Sequence, residues 1–228
     1  MKKQITQNHI KKGSGYPLIL LHGNGEDSTY FKNQIEAFAP NFTVYALDSR
    51  AHGKTKRGDG ELTLKRLSDD LLNFMNDQKI EKANILGYSD GANVATLFAL
   101  EQQDRINKLI LNGGNVKQNG IKTCFNITMT IEFALLKLAG KFSTSAKQKC
   151  EIISLMIGQP NLNGEDLSKI TVPTLVIVGT KDVIKQSHTD FMHESIKMSE
   201  LKIIDGGHAV ASENPKEFNL AVLEFLNK

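Results

Sequence analysis

The chain has 228 residues, with 28 Lys and Arg against 25 Asp and Glu and a formal net charge of +3; so small an excess, with its lysines scattered, excludes the concentrated basic face of a nucleic-acid binder. An apolar fraction of 40% is enough to bury one sizeable core, which points to one domain with an insertion rather than two domains. No apolar run approaches the ~18 residues of a membrane span, and the opening MKKQITQNHI lacks the apolar stretch of a signal peptide, so the expected setting is the cytoplasm, without membrane insertion, as a monomer or homodimer.

In chain order, strand-like runs fall at 17–21 (PLILL), 42–47 (FTVYAL), 82–86 (KANIL), 108–112 (KLILN), 174–179 (TLVIVG) and 201–205 (LKIID). An extra antiparallel edge strand fits within 4–11. Helical spacing recurs between the runs at 28–38, 63–78, 90–102, 185–197 and 215–226. Strands that are apolar throughout, alternating with helices, specify a doubly wound, mostly parallel sheet of about seven strands covered on both faces. The alternation breaks once. Two amphipathic helical stretches, CFNITMTIEFALLKLAG and TSAKQKCEIISLMIG, follow one another with no strand between them. Residues 116–169 are therefore read as a helical cap on a core formed by 1–115 and 170–228. Such an apolar insertion after a strand end is well placed to roof a pocket, and Met129 and Phe133 on its first helix are candidate substrate-binding residues. Cys124 and Cys150 lie far apart without ligand spacing and read as two buried thiols rather than as a zinc site.

The stretch ILGYSDGANVA (85–95) places Ser89 on the turn between a strand and a helix, flanked by Gly87 and Gly91. This G-x-S-x-G spacing suits a strained turn that holds a hydroxyl out of the backbone. Alone it is weak, since three fixed positions recur by chance about once in 3,000 windows, and a serine capping an ordinary helix would look the same. The other strand ends strengthen it. HGNGED, DSRAHG, GTKDV and GGHAV follow four of the remaining runs, and ligands bind beyond the carboxyl ends of strands in doubly wound sheets. They supply Ser89, Asp182 and His208 in that order, and a serine hydroxyl becomes a good nucleophile when an imidazole takes its proton and a carboxylate orients the imidazole.

On HGNG (22–25), DSRAHG (48–53), GYSDG (87–91), GTKDV (179–183) and GGHAV (206–210) the chain resembles the α/β-hydrolase superfamily, in its serine hydrolase or carboxylesterase-like branch, over nearly its whole length except the cap. The resemblance implies Ser89 as nucleophile, His208 as base and Asp182 as the acid, with an oxyanion hole formed by the backbone N–H groups of Asn24 and Asp90. It implies no cofactor and no metal, a small-molecule ester or related acyl substrate, and an acyl-enzyme route. Thioesterase, lactonase, carbon–carbon hydrolase and acyltransferase chemistries run on the same set. The amide of Asp90 also earns its place physically, because the first N–H groups of a helix are unpaired and attract negative charge. Two departures stand out: RAHG replaces the usual RGHG, and no proline follows Asp182.

Two readings from other classes compete. HGNGEDS, followed by Asp48 at the end of the next strand, nearly matches the dinucleotide fingerprint of an NAD-dependent oxidoreductase, though its third glycine is missing. A non-catalytic ligand-binding protein on the hydrolase scaffold is the other, and it leaves the Ser/Asp/His set without a purpose. His22 and His52 read as loop anchors, while His9, His188 and His193 are expected at the surface. The side chain of Asp90 either favours its helix N-terminus or binds a substrate cation at the pocket floor.

Overall fold

The computed structural model describes residues 5–228. Its centre is a seven-stranded sheet: β1 (His9–Lys12), β2 (Tyr16–Leu21), β3 (Phe42–Leu47), β4 (Ala83–Tyr88), β5 (Ile106–Asn112), β6 (Thr174–Gly179) and β7 (Ser199–Ile204). The order across it is β1-β3-β2-β4-β5-β6-β7. All pairings are parallel except that of the edge strand β1 with β3.

Alternate residues of each strand feed the two cores, because successive side chains point to opposite faces. On one face Ile19 and Leu21 pack with Leu64, Leu71 and Phe74 of α2 (Leu64–Asp77) and Phe98 of α3 (Asp90–Glu101), and α7 (Gln186–Ser195) adds Met192. On the other, Leu18 and Leu20 meet Ile35 and Phe38 of α1 (Lys32–Phe38) and Phe218 and Val222 of α9 (Pro215–Leu226). Being covered on both sides makes β2 and β4 apolar runs without polar alternation. The start of α2 is fixed by Thr63, whose hydroxyl accepts from the Arg66 amide at 3.1 Å, the usual role of an N-cap. Ala51, where the family pattern has glycine, sits at φ 65°.

Between β5 and β6 lie α4 (Thr123–Ala139), α5 (Thr144–Ser154) and the short α6 (Gly164–Leu167). Met129 of α4 and Ile153 of α5 form a small cluster with Ile121 and Ile184. Leu155, Leu167 and Ile170 reach the main core instead. A buried bidentate pair, Arg50 with Asp70 at 2.6 Å on both arms, ties the loop after β3 to α2. From the same loop, Arg57 reaches Glu151 of α5 at 2.6 Å.

Candidate active site

Strand β3 is added on one side of β2 and β4 on the other, so the winding direction reverses between β2 and β4. The crevice beyond the carboxyl ends of two such strands is where doubly wound sheets bind ligands. The residues that follow β2 and β4 are His22 to Glu26 and Ser89.

Ser89 has φ 53° and ψ −118°, a sparsely populated conformation costing of order 1–3 kcal/mol and held by its surroundings. Its two glycines explain how the turn closes. A Cβ on Gly87 would lie 2.2 Å from the carbonyl oxygen of Gly91, and one on Gly91 would lie 2.0 Å from that of Leu21 in β2. Any side chain at either position would push α3 off the sheet.

The Ser89 hydroxyl is 3.0 Å from His208 Nε2, and His208 Nδ1 is 2.7 Å from Asp182 Oδ1. Residues 119 and 26 positions apart thus meet in one hydrogen-bonded chain. Asp182 is buried, and the same oxygen accepts the amide of Ile184 at 2.9 Å, which fixes its rotamer. Gly113, just after β5, has φ 60°, and a Cβ there would stand 2.9 Å from the imidazole. The Tyr88 ring, 5.2 Å from the imidazole, packs against it. Asp205, the nearest other carboxylate to His208 in sequence, accepts instead from the Thr180 hydroxyl.

Asn24 and Asp90 meet through their side chains. Asn24 Nδ2 donates to Asp90 Oδ2 at 2.8 Å and to the Ile152 carbonyl of α5 at 2.7 Å. Asn93 Nδ2 reaches Asp90 Oδ1 at 3.4 Å, and the Asn115 amide donates to Asn93 Oδ1 at 2.8 Å. Asp90 is therefore a buried member of an amide network, not a surface helix cap. Burial pushes its carboxyl up to about 6 against the opposing hydrogen bonds from Asn24 and Asn93.

A cavity of about 180 Å³ opens over these groups, lined by Asn24, Glu26, Ser89, Asp90, Phe125 and His208 among others. Its lining includes two carboxyl groups and no lysine or arginine. Nothing in the sequence around Glu26, three residues after Gly23 in the loop following β2, marks it as a site residue. Burial pushes its carboxyl up to about 7, outweighing the Gly23 amide it accepts and the nearby His208.

Met129 and Phe133 do not line this cavity; they face the cluster between the inserted helices and the core. Phe125, one turn earlier on α4, and Met156 take that position. Other expectations also need correction. His188 is buried and its Nε2 accepts the Val116 amide at 3.1 Å, and burial drives its pKa down to about 4. His9 and His193 are half-buried, His9 packing edge-on against Phe74. Cys124 is exposed and Cys150 half-buried, and both are free.

His22 anchors its loop: Nδ1 donates to the Gly23 carbonyl at 2.7 Å and Nε2 accepts the Ser49 amide at 3.0 Å. Asp48, the would-be ribose carboxylate, is already occupied by the amides of Ser28 and Lys54 and by Asn8 Nδ2. Both oxygens are thus engaged within the protein, and the side chain is buried.

The alpha/beta hydrolase fold family matches residues 16–147. The chain is an α/β-hydrolase. It is similar to 2-hydroxy-6-oxo-6-(2'-aminophenyl)hexa-2,4-dienoic acid hydrolase of Metapseudomonas resinovorans, 25% identical over 98% of this chain and 88% of that protein. It is similar also to the human serine hydrolase BPHL, 26% identical over 97% of this chain and 83% of the relative. Among solved structures, the enol-lactonase from Burkholderia xenovorans LB400 superposes with a TM-score of 0.82 over 98% of this chain and 97% of its own, at 20% identity, a likeness of fold. Within this α/β-hydrolase the seven strands and their covering helices do what the fold requires: they bring five loops to one crevice.

Proposed function

We propose that this α/β-hydrolase is a serine hydrolase that cleaves small to medium carboxylic esters through an acyl-enzyme. The observation that carries the reading is the unbroken hydrogen-bonded chain from Ser89 through His208 to Asp182, at the base of a cavity. In the reaction, His208 Nε2 takes the Ser89 proton as Oγ attacks the ester carbonyl. Asp182 holds the imidazole in the tautomer that can accept and stabilises its charged form. The carbonyl oxygen becomes an oxyanion received by the amides of Asn24 and Asp90, each such donor being worth ~3 kcal/mol in the transition state. The imidazolium returns its proton to the departing alcohol, and a water activated by the same imidazole then releases the acid.

Cavity size and charge favour esters over some other substrates of the fold. About 180 Å³ is small beside the ~300–1,000 Å³ of common ligand pockets, which suits short acyl or alcohol groups. The dienoic acid named for one relative carries a carboxylate, and a lining with Glu26 and Asp90 but no lysine or arginine disfavours such a group. The name of the human relative, a serine hydrolase, agrees with the nucleophile proposed.

The test is covalent labelling. A fluorophosphonate is expected to modify the protein at Ser89, with Ser89→Ala losing both label and turnover of short p-nitrophenyl esters while keeping its circular dichroism. Stoichiometric labelling of the alanine variant at another residue overturns the assignment.

A further inference from the structure

Helix α4 is apolar on two opposite sides. Inward, Met129 and Phe133 pack in the cluster beneath it. Outward, Ile127, Ile131, Leu135 and Leu138 follow at three- and four-residue spacing, which aligns them on one face. They are 55%, 55%, 63% and 58% exposed, and Phe142 just beyond the helix is 87% exposed. With Phe125, these are six of the ten large apolar side chains that stand exposed among the described residues. A contiguous apolar surface of this kind marks an interaction site.

The surrounding charge indicates what it meets. Residues 122–149 hold five lysines, at 122, 137, 141, 147 and 149, against the single carboxylate of Glu132. That local excess of four positive charges exceeds the +3 of the entire chain. Lys147 lies against Gly140, beside the end of α4. None of the five lysines forms an ion pair among the described residues.

We propose that the outward face of α4 is a docking surface for a lipid bilayer bearing anionic headgroups. The helix lies flat, with its aliphatic stripe and Phe142 among the upper acyl chains, while Lys137, the one lysine on α4, leaves its place over the Phe133 ring and joins Lys122, Lys141 and the α5 lysines Lys147 and Lys149 in reaching the phosphates. Seventeen residues span about 25 Å, enough to present the whole stripe to a plane. No helix among the described residues is long and apolar enough to cross a membrane, so the contact lies on the bilayer. A second copy of the chain would bring two lysine-rich edges together, and a nucleic acid would offer phosphates but no apolar phase for the stripe. Phe125, 40% exposed and part of the cavity lining, sits at the start of this helix, so the docked surface borders the cavity.

The experiment is co-sedimentation of the intact protein with vesicles of phosphatidylcholine alone or mixed with phosphatidylglycerol. Each lysine at an anionic surface strengthens partitioning roughly fivefold, so binding to the mixed vesicles is expected to be at least tenfold tighter and to weaken with salt. Ile131→Glu with Leu135→Glu should abolish binding, and Lys137→Glu with Lys141→Glu should lower it at least tenfold. Unchanged thermal unfolding would show that both variants fold. Failure to bind, equal binding to the two vesicle types, or a dimer in light scattering that Leu135→Glu dissociates would overturn the proposal. No turnover is measured, so this outcome and that of the fluorophosphonate test are separate.

Discussion

Ser89 holds the strained backbone of the site, at φ 53°, and glycine is the one residue that adopts such values without steric cost. Ser89→Gly is expected to raise stability by ~1–2 kcal/mol in urea unfolding, within the range for strained functional residues, while losing fluorophosphonate labelling. An unchanged or lower midpoint would mean that the turn stores no strain. Its neighbour Asp90 gives a second prediction. With its carboxyl pushed up to about 6, the side chain carries charge at neutral pH beside the proposed nucleophile. Wild type should therefore favour an α-amino ester over the matched neutral ester by about tenfold or more above pH 6, since a charge-assisted contact contributes ~1.5–3 kcal/mol. Asp90→Asn, which keeps the backbone amide, should erase that ratio of kcat/KM values. Ser89, Asp182 and His208 were legible in the sequence because each follows a strand in a fold whose strand ends converge. Glu26 was not, because a lone carboxylate in a loop has no periodicity, and its burial depends on Tyr88 and His208, which arrive from elsewhere in the chain.

At the scale of elements, the strands read well for a physical reason: a sheet covered on both faces makes β2, β4 and β6 almost continuously apolar, with Asn84 and Thr174 as buried polar exceptions, and turn residues bracket each run. The four-residue helices α6 and α8 (Val210–Glu213) are shorter than the window in which a helical period can be seen. Helix α4 is legible as a helix, but its inner and outer faces look alike in sequence because both are aliphatic, which is why Met129 and Phe133 read as cavity residues. The loop after β3 carried a different device, the Arg50–Asp70 pair, with both side chains about 95% buried. Truncating one partner leaves the other charged and buried, so Asp70→Ala is expected to cost ~3–5 kcal/mol, read as a lowered urea midpoint. Replacing both by apolar residues of similar size should recover much of that loss, and a loss as large in the double variant would place the effect in packing instead of charge.

Across the whole molecule the titrating groups pull in opposite directions. Glu26, pushed up to about 7, keeps its proton to higher pH in the fold than in the unfolded chain, where a glutamate titrates near 4.3. Its contribution to stability is complete below that lower value and is lost as pH rises through 7. Asp90 behaves likewise up to about 6. His22 and His188, held down to about 4 by burial, contribute above their unfolded value of ~6.5 and lose that contribution as pH falls toward 4. Glu26→Gln should thus gain stability relative to wild type steadily from pH 4 to 7.5, seen as diverging urea midpoints; parallel curves would show that Glu26 titrates as in an unfolded chain.

The two protons of the Asn24 side-chain amide join places that are remote along the chain. Asp90 is 66 positions away and Ile152 is 128, so the loop after β2, the start of α3 and the end of α5 share a single keystone. Moving α5 away would remove one of the two hydrogen bonds that hold the Asn24 side chain, so the position of the loop after β2 and the position of α5 are coupled through one amide group.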